Sequence, residues 1–258
     1  MHPSVQGGGT KSVLVSVIIP ALNESENIAR CVECARRDYA SSEVEIIVVD
    51  GGSTDGTPEM VPHGVRVTRS SRGRAVQQNH GAGVSHGEIL LFCHADTQLP
   101  AGWRDAVIEA LRRDEVSGGA FQRRYEPAWG LVLFLLNRVH NFGHWFFVHG
   151  DRCQFMTRAM FDEVGGFQEL PLMEDLEMSR TLAKKGKIRM VGPRVVSSSR
   201  RLMENGVLRQ GLLSIWYCFR YIYLGATAED IARLYRSSRE RENEGPDGIR
   251  YRGRAGTR

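Results

Sequence analysis

The side chains best able to do chemistry sit where apolar runs end. Val13 to Ile19 closes in Pro20, Ala21, Leu22, Asn23 and Glu24. Val44 to Val49 closes in Asp50, Gly51, Gly52 and Ser53, and Glu88 to Cys93 closes in His94, Ala95 and Asp96. Acids at several strand ends of one sheet suit a metal-bound nucleotide better than a bare phosphate, because hard divalent ions take carboxylate oxygens. The Gly51 to Gly56 run adds turn and nest chemistry. Asp55 fits a turn cap through its Asx geometry. Further along, Glu174 and Asp175 stand at an expected helix start, where acids are favoured anyway. Arginines stand at Arg72 and Arg74, before the third strand, and as the pair Arg200 and Arg201 after the strand-like Val195 to Ser199.

The elements that must hold these groups follow from local pattern. The apolar runs Val13–Ile19, which is β-branched, Val44–Val49 and Glu88–Cys93 read as buried strands, with a short strand over Val65–Thr68. Between them, capping residues from Asn23 to Glu26 open a helix to about Tyr39, and Arg74 to Val84 reads as a second helix. Strand and helix alternate, which implies βαβ units, a mostly parallel sheet with helices on both faces, and a ligand site beyond the carboxyl ends of the strands. In the second half, strands are expected at Ser117–Arg124 and Ile188–Val191. Helices are expected over Glu174–Lys184, Val207–Leu224 and Ala228–Arg236. Trp129 to Val148 is apolar but interrupted by Asn137, Arg138, His140, Asn141 and His144. An amphipathic helix or helix pair is preferred there to a membrane span, which would bury a charge.

Composition sets the bounds. The 258 residues are 41% hydrophobic and 25% charged, which is globular and excludes collagen-like or wholly disordered chains. The net charge of +4 belongs to the tail: Arg233 to Arg258 holds eight arginines against four acids, and removing these from 34 and 30 leaves 26 of each sign. A balanced body argues against a large nucleic-acid footprint. The opening residues have no n-region or h-region pattern, so no secretory leader is expected, and five cysteines, an odd number, suit reduced thiols in the cytoplasm. Cys31 and Cys34 have the spacing of a redox pair or half a zinc site, with no second pair to complete the latter.

Val15 to Glu24 and Val48 to Thr57 together resemble the opening of family 2 glycosyltransferases of the GT-A fold. The resemblance continues through His94-Ala95-Asp96-Thr97 with Leu99-Pro100, Gly150-Asp151, Gly165-Gly166-Phe167, Met173-Glu174-Asp175 and Arg200-Arg201, covering about 13–235. Within that family the His-Ala-Asp-Thr and Met-Glu-Asp-Leu-Glu forms resemble a bacterial-type subfamily associated by gene neighbourhood with radical-SAM, arsenosugar or selenium genes. The resemblance implies a GT-A (Rossmann-like) α/β domain over 13–201, with a nucleotide half at about 13–100 and an acceptor half at about 101–201. A loose start at 1–12, a helical appendage at 202–236 and a disordered basic tail at 237–258 complete the expected organisation.

It also implies roles. Pro20, Asn23, Glu24, Asp50 and Ala95 line a nucleotide-sugar donor, with UDP the expected nucleotide; Arg74, Arg200 and Arg201 face its diphosphate. Asp50 either accepts from the base or ribose or caps its own turn, and Glu24 either meets the nucleotide or serves the helix start. Asp96 is the expected ligand of Mn²⁺ or Mg²⁺. His94 stands where related enzymes carry the first Asp of an Asp-x-Asp motif, and either ligates the ion or hydrogen-bonds the donor. In an inverting transfer one carboxylate takes the acceptor's proton; the family points to Glu174 and Asp175, chiefly Asp175, with Asp151 and His149 lining the acceptor side. The acceptor is a small molecule or a lipid-linked one. Rival readings are a nucleotidyltransferase, whose Gly-rich basic signature would follow the first strand, and a non-catalytic nucleotide-sugar-binding protein with a degenerate metal motif. The segment 207–235 is expected to pack on the domain or on a second subunit, in preference to lying on an anionic membrane, because its aromatic positions spread around the helix.

Overall fold

The computed structural model describes residues 13–126, 152–198 and 207–243. Its strands are β1 (Val15–Ala21), β2 (Val44–Asp50), β3 (Arg66–Arg69), β4 (Ile89–Phe92), β5 (Thr97–Gln98), β6 (Val116–Glu126), β7 (Gln154–Thr157) and β8 (Lys187–Ser198). Its helices are α1 (Ile28–Arg36), α2 (Arg74–Val84), α3 (Trp103–Leu111), α4 (Arg158–Val164), α5 (Glu174–Lys185), α6 (Val207–Tyr223) and α7 (Ala228–Asn243). The last of these runs past the expected end at Arg236. The expected helix or helix pair at Trp129–Val148 lies outside the described residues.

One sheet runs in the order β3-β2-β1-β4-β7-β6-β8-β5. It is parallel from β3 to β4, as the βαβ pattern requires, with β1 in register from Val15↔Val44 to Ala21↔Asp50 on one side and from Val15↔Ile89 to Ile18↔Phe92 on the other. Beyond β4 it is mixed, because β7 runs antiparallel to both β4 and β6. Alternate residues of the buried strands face opposite layers, as strand geometry demands. Val17, Ile19, Val48 and Leu91 pack with α1 and α3, while Ile18, Ile47, Val49 and Leu90 pack with α2, α4 and α5. The chain thus leaves β1 by α1 on one face and returns to β4 by α2 on the other. This reversal is the topological switch point at which open α/β sheets bind their ligands.

Close approach of α2 to the sheet shapes that site. A Cβ on Gly81 would stand 2.4 Å from Ile18 Cγ2 and 3.0 Å from Val49 Cγ2. With the helix pressed this near, the Gln77 side chain reaches over the strand ends and donates to the carbonyls of Ala21 (2.9 Å) and Val49 (2.8 Å). Gly81→Ala should cost about 1–3 kcal/mol of stability by overpacking. Urea unfolding would check this, and an unchanged midpoint would show that α2 can move without penalty.

The helix expected from Asn23 begins only at Ile28. The backbone N–H groups of Asn23, Glu24 and Ser25 are instead taken by Ser53 Oγ (2.9 Å), Thr57 Oγ1 (2.8 Å) and Asp55 Oδ2 (3.0 Å). Polar residues that read locally as a cap are used to lock the β1 loop to the β2 loop.

Candidate active site

Three loops meet at the switch point. Asp50, 1% exposed, ends β2; its Oδ2 and Oδ1 accept from the N–H groups of Gly52 (3.2 Å) and Ser53 (3.0 Å), and Arg69 lies 3.7 Å away. The carboxylate thus caps its own turn, one of the two readings of this residue. Asn23, at φ 56°, accepts from Thr54 N–H at 2.9 Å. At the helix start the Glu24 side chain accepts from Asn27 Nδ2 at 2.8 Å, and its carbonyl accepts from the N–H groups of Asn27 and Ile28. Asp55 is the Asx cap that its position implies, accepting from Thr57 N–H at 3.0 Å. The Thr57 hydroxyl, which also donates to it, and the Ser25 N–H hold its carboxyl down at about 2. Pro20, in β1, pairs with Val49.

His94, Ala95 and Asp96 form a tight turn after β4, closed by Thr97 N–H donating to the His94 carbonyl at 3.0 Å. Ala95 is buried, while His94 and Asp96 are half-buried. The Asp96 carboxylate accepts from the Thr97 hydroxyl at a long 3.5 Å. Among the described residues no group of three or more His, Cys, Asp and Glu side chains is arranged to hold a metal. The donor set is therefore one carboxylate with a neighbouring imidazole. That does not make a protein cage, but it fits a divalent ion that arrives on substrate phosphates and keeps water ligands.

Beneath this turn lies a feature that spacing alone misassigns. Cys31 Sγ is 3.9 Å from Cys93 Sγ, which is 3.5 Å from Cys153 Sγ, so Cys31 meets strand thiols and not Cys34. All five cysteines are free. The β4–β7 register, Phe92↔Gln154, sets Cys93 opposite Cys153. The neighbouring thiols, and after them burial, push Cys31 and Cys93 well above the ordinary thiol range, so these thiols pack beneath the site and are poor nucleophiles. Cys31 Sγ also donates to the His94 carbonyl at 3.5 Å, which ties α1 to the turn after β4.

The second pair of acids is brought to the same strand by β7. Gln154, opposite Phe92, donates to the Asp175 carbonyl (2.8 Å) and to Ser179 Oγ (2.6 Å), and Ser179 donates to the same carbonyl at 2.9 Å. The N-terminus of α5 is thereby pinned beside the end of β4. It is entered through Met173 in the left-handed conformation, φ 73°. With Asn23 and with Cys153 at φ 52°, this makes a set of strained non-glycine residues around the switch point, a pattern that clusters at functional sites.

Arg74, expected on a diphosphate, donates to Glu174 Oε1 at 2.8 Å; its side chain is 44% exposed and that of Glu174 is 2% exposed. Burial, then the charge of Asp175, raise the Glu174 carboxyl, while Arg74 opposes both. Asp175 is largely buried, and its Oδ1 accepts from Leu176 N–H at 2.8 Å. Gly165, Gly166 and Phe167 serve packing: Asn79 on α2 bonds both the N–H and the carbonyl of Phe167 at 2.8 Å, and Phe167 sits edge-on to Phe92. Asp151, His149, Arg200 and Arg201 lie outside the described residues. Gln77 and Gln154, which hold the loops and the acid pair in place, carry no local signal that would have marked them.

Comparison with known proteins agrees with this layout. The family profile described as Glycosyl transferase family 2 matches residues 16–161, more than half of the chain. Glycosyltransferase AglE of Haloferax volcanii is 32% identical over 106 residues, covering 38% of this chain and 35% of that one. A beta-monoglucosyldiacylglycerol synthase of Nostoc sp. is 25% identical over 190 residues, 64% of this chain and 40% of that one. The chain spans well under half the length of these two relatives. Among solved structures, the mannosyltransferase PcManGT from Pyrobaculum calidifontis in complex with GDP-Man and Mn²⁺ superposes with a TM-score of 0.56 at 22% identity, over 85% of this chain and 70% of that one. Its fold is the GT-A arrangement of mixed sheet and flanking helices.

Proposed function

The chain belongs to glycosyl transferase family 2, and on that premise we propose that it moves a sugar from a nucleoside diphosphate donor, a UDP-sugar first among the candidates, to a nucleophilic acceptor with inversion. The observation that carries this reading is the meeting at one switch point of the Asn23–Asp50 loop pair, the Asp96 turn and the acid pair that Gln154 pins beside them. Asp50 and Glu24 hold the nucleoside, with Pro20, Asn23 and Ala95 lining the donor. Asp96, with His94 beside it, is the group to hold a divalent ion, Mn²⁺ or Mg²⁺; such an ion supplies charge neutralisation at the departing diphosphate. Asp175 takes the proton of the acceptor as it attacks. Arg74 donates to the buried Glu174 carboxyl at the head of α5, with its side chain 44% exposed, and its role on the donor diphosphate rests on the sequence alone. Arg200, Arg201 and Asp151 keep their proposed roles on the diphosphate and acceptor sides from the sequence alone, as does the His-Ala-Asp-Thr subfamily assignment.

The division into a catalytic unit over 13–201 and a helical appendage is part of the same reading. The acceptor is a small molecule or a lipid-linked one, and the diacylglycerol synthase relative favours testing the second. Five free thiols suit a reducing compartment, the cytoplasm. Among the described residues no helix is long and apolar enough to cross a membrane.

A thermal-shift screen of UDP-, GDP- and CDP-sugars with Mn²⁺ and Mg²⁺, followed by donor turnover, tests the function. A ligand at about 100 times its Kd stabilises by about 2.7 kcal/mol. One nucleotide should shift the chain only with metal present and should then be turned over. Binding without turnover under any condition would leave a binding protein, and no shift with any nucleotide would overturn the reading.

A further inference from the structure

Helix α6 carries two apolar faces. Leu213, Tyr217, Cys218, Tyr221 and Ile222 turn inward, onto Met173 and Leu176 of the α5 head and onto Ile231 and Tyr235 of α7. On the other side Leu212, Ile215, Trp216, Phe219 and Tyr223 are 66, 50, 48, 41 and 65% exposed. Their spacing is i, i+3, i+4, i+7 and i+11, a single stripe along the helix. Trp216 stacks on Phe219 at 6.0 Å and Phe219 meets Tyr223 at 5.2 Å, so the aromatic surface is ordered as well as exposed. The spread of aromatics around this helix, which favoured packing alone, is two opposed faces: one packs and one does not. Contiguous exposed apolar surface of this kind marks an interaction site.

Charge selects the partner. From Val207 to Tyr223 the sequence holds Arg209 and Arg220 and no acid, and from 207 to 258 it holds ten arginines against six acids. A stripe of Trp, Phe, Leu and Ile on a cationic segment is what an interfacial helix presents to anionic lipid, and Trp and Tyr suit the headgroup level. A second copy of the chain is the poorer fit, since a two-fold contact sets the same cationic patch against itself. The inner face of α6 rests on the residues flanking Glu174 and Asp175, so the stripe stands about one helix diameter, ~10 Å, from the head of α5.

We infer that the outer face of α6 docks on the surface of an anionic phospholipid bilayer, bringing the acid pair to acceptors borne on that surface. Only the last clause rests on the proposed transferase function; docking itself is read without transfer. The full chain is sedimented with vesicles of phosphatidylcholine alone and of phosphatidylcholine mixed with phosphatidylglycerol at physiological salt. It should pellet with the mixed vesicles and far less with the neutral ones. The neutral double variant Trp216→Ser with Phe219→Ser keeps every charge and should lower the partition coefficient by about tenfold or more. Both side chains are exposed, so its thermal midpoint and nucleotide-induced shift should match the parent. Equal pelleting of parent and double variant would assign any binding to the basic tail and overturn the inference. So would absence of binding, or a dimer in sedimentation equilibrium that the double variant abolishes while vesicles go unbound. Nucleotide shifts measured on the same samples keep a failure here distinct from a failure of the transferase reading.

Discussion

Asp96→Asn should fold like the parent and transfer sugar at least about 10³-fold more slowly, since a bound divalent ion contributes several kcal/mol to such chemistry at about 1.4 kcal/mol per tenfold. The fold should survive because little depends on this side chain. It is half-buried, and the Thr97 hydroxyl bonds it only at 3.5 Å, while the turn itself is closed by backbone, Thr97 N–H to the His94 carbonyl. Stability should therefore stay within about 0.5 kcal/mol. His94→Ala should cost less than Asp96→Asn if the imidazole only neighbours the ion, and a comparable amount if it is a ligand. Initial rates at saturating Mn²⁺ decide the matter: near-parent turnover by the Asp96 variant would remove the carboxylate from the site.

That Asp96 was legible at all follows from where it stands. A short run of apolar residues ending in polar ones announces a buried strand and its carboxyl end without any partner. The strand ends at Asn23–Glu24, Asp50 and Asp96 and helix α2 over Arg74–Val84 all lie where local pattern puts them. What the local pattern does not contain is pairing. Arg74 is an ordinary first-turn arginine until Glu174, a hundred residues on, is set 2.8 Å from it. Gln77 and Gln154 look like surface amides, yet each is buried and bonds two groups, one across the ends of β1 and β2, the other at the head of α5. The cysteines show the same limit from the other side. Spacing i to i+3 offers Cys31 to Cys34, while the fold sets Cys93 between Cys31 and Cys153.

Other elements carry local signals of unequal strength. Trp103, Val107 and Ala110, all buried, give α3 a helical apolar face with Asp105 in its first turn, and that much is readable from sequence. Strand β7 is four residues long with polar ends, Gln154 and Thr157, too short for alternation to register. Asn23 to Glu26 offered a helix cap, but the same donors found stronger company in Ser53, Asp55 and Thr57. In each case a tertiary contact overrode a local preference at the functional end of the sheet, which is where such conflicts are expected.

The acid pair at the head of α5 gives the other large effect. Asp175→Asn should leave nucleotide affinity unchanged and lower the rate of the chemical step by about 10² to 10⁴, the span for loss of a general base. The substitution is isosteric, and the backbone that presents residue 175 is held by Gln154 and Ser179 irrespective of its charge. It also alters Glu174. Burial comes first and the Asp175 charge second in raising that carboxyl, so removing the charge should bring it down towards its ordinary range. The sign for stability follows. A carboxyl raised in the folded state contributes stability below the ordinary glutamate pKa, and that contribution is lost as pH rises through its raised folded value. Asp175→Asn narrows the window, so the variant should lose less stability than the parent across it, while Arg74→Met, which removes the opposing cation, should lose more. Chemical denaturation at several pH values reads this, and single-turnover rates with pre-bound donor read the chemistry. Weakened nucleotide binding with normal turnover in Asp175→Asn would place Asp175 on the donor side. Loss of rate in Glu174→Gln but not in Asp175→Asn would move the base one residue back.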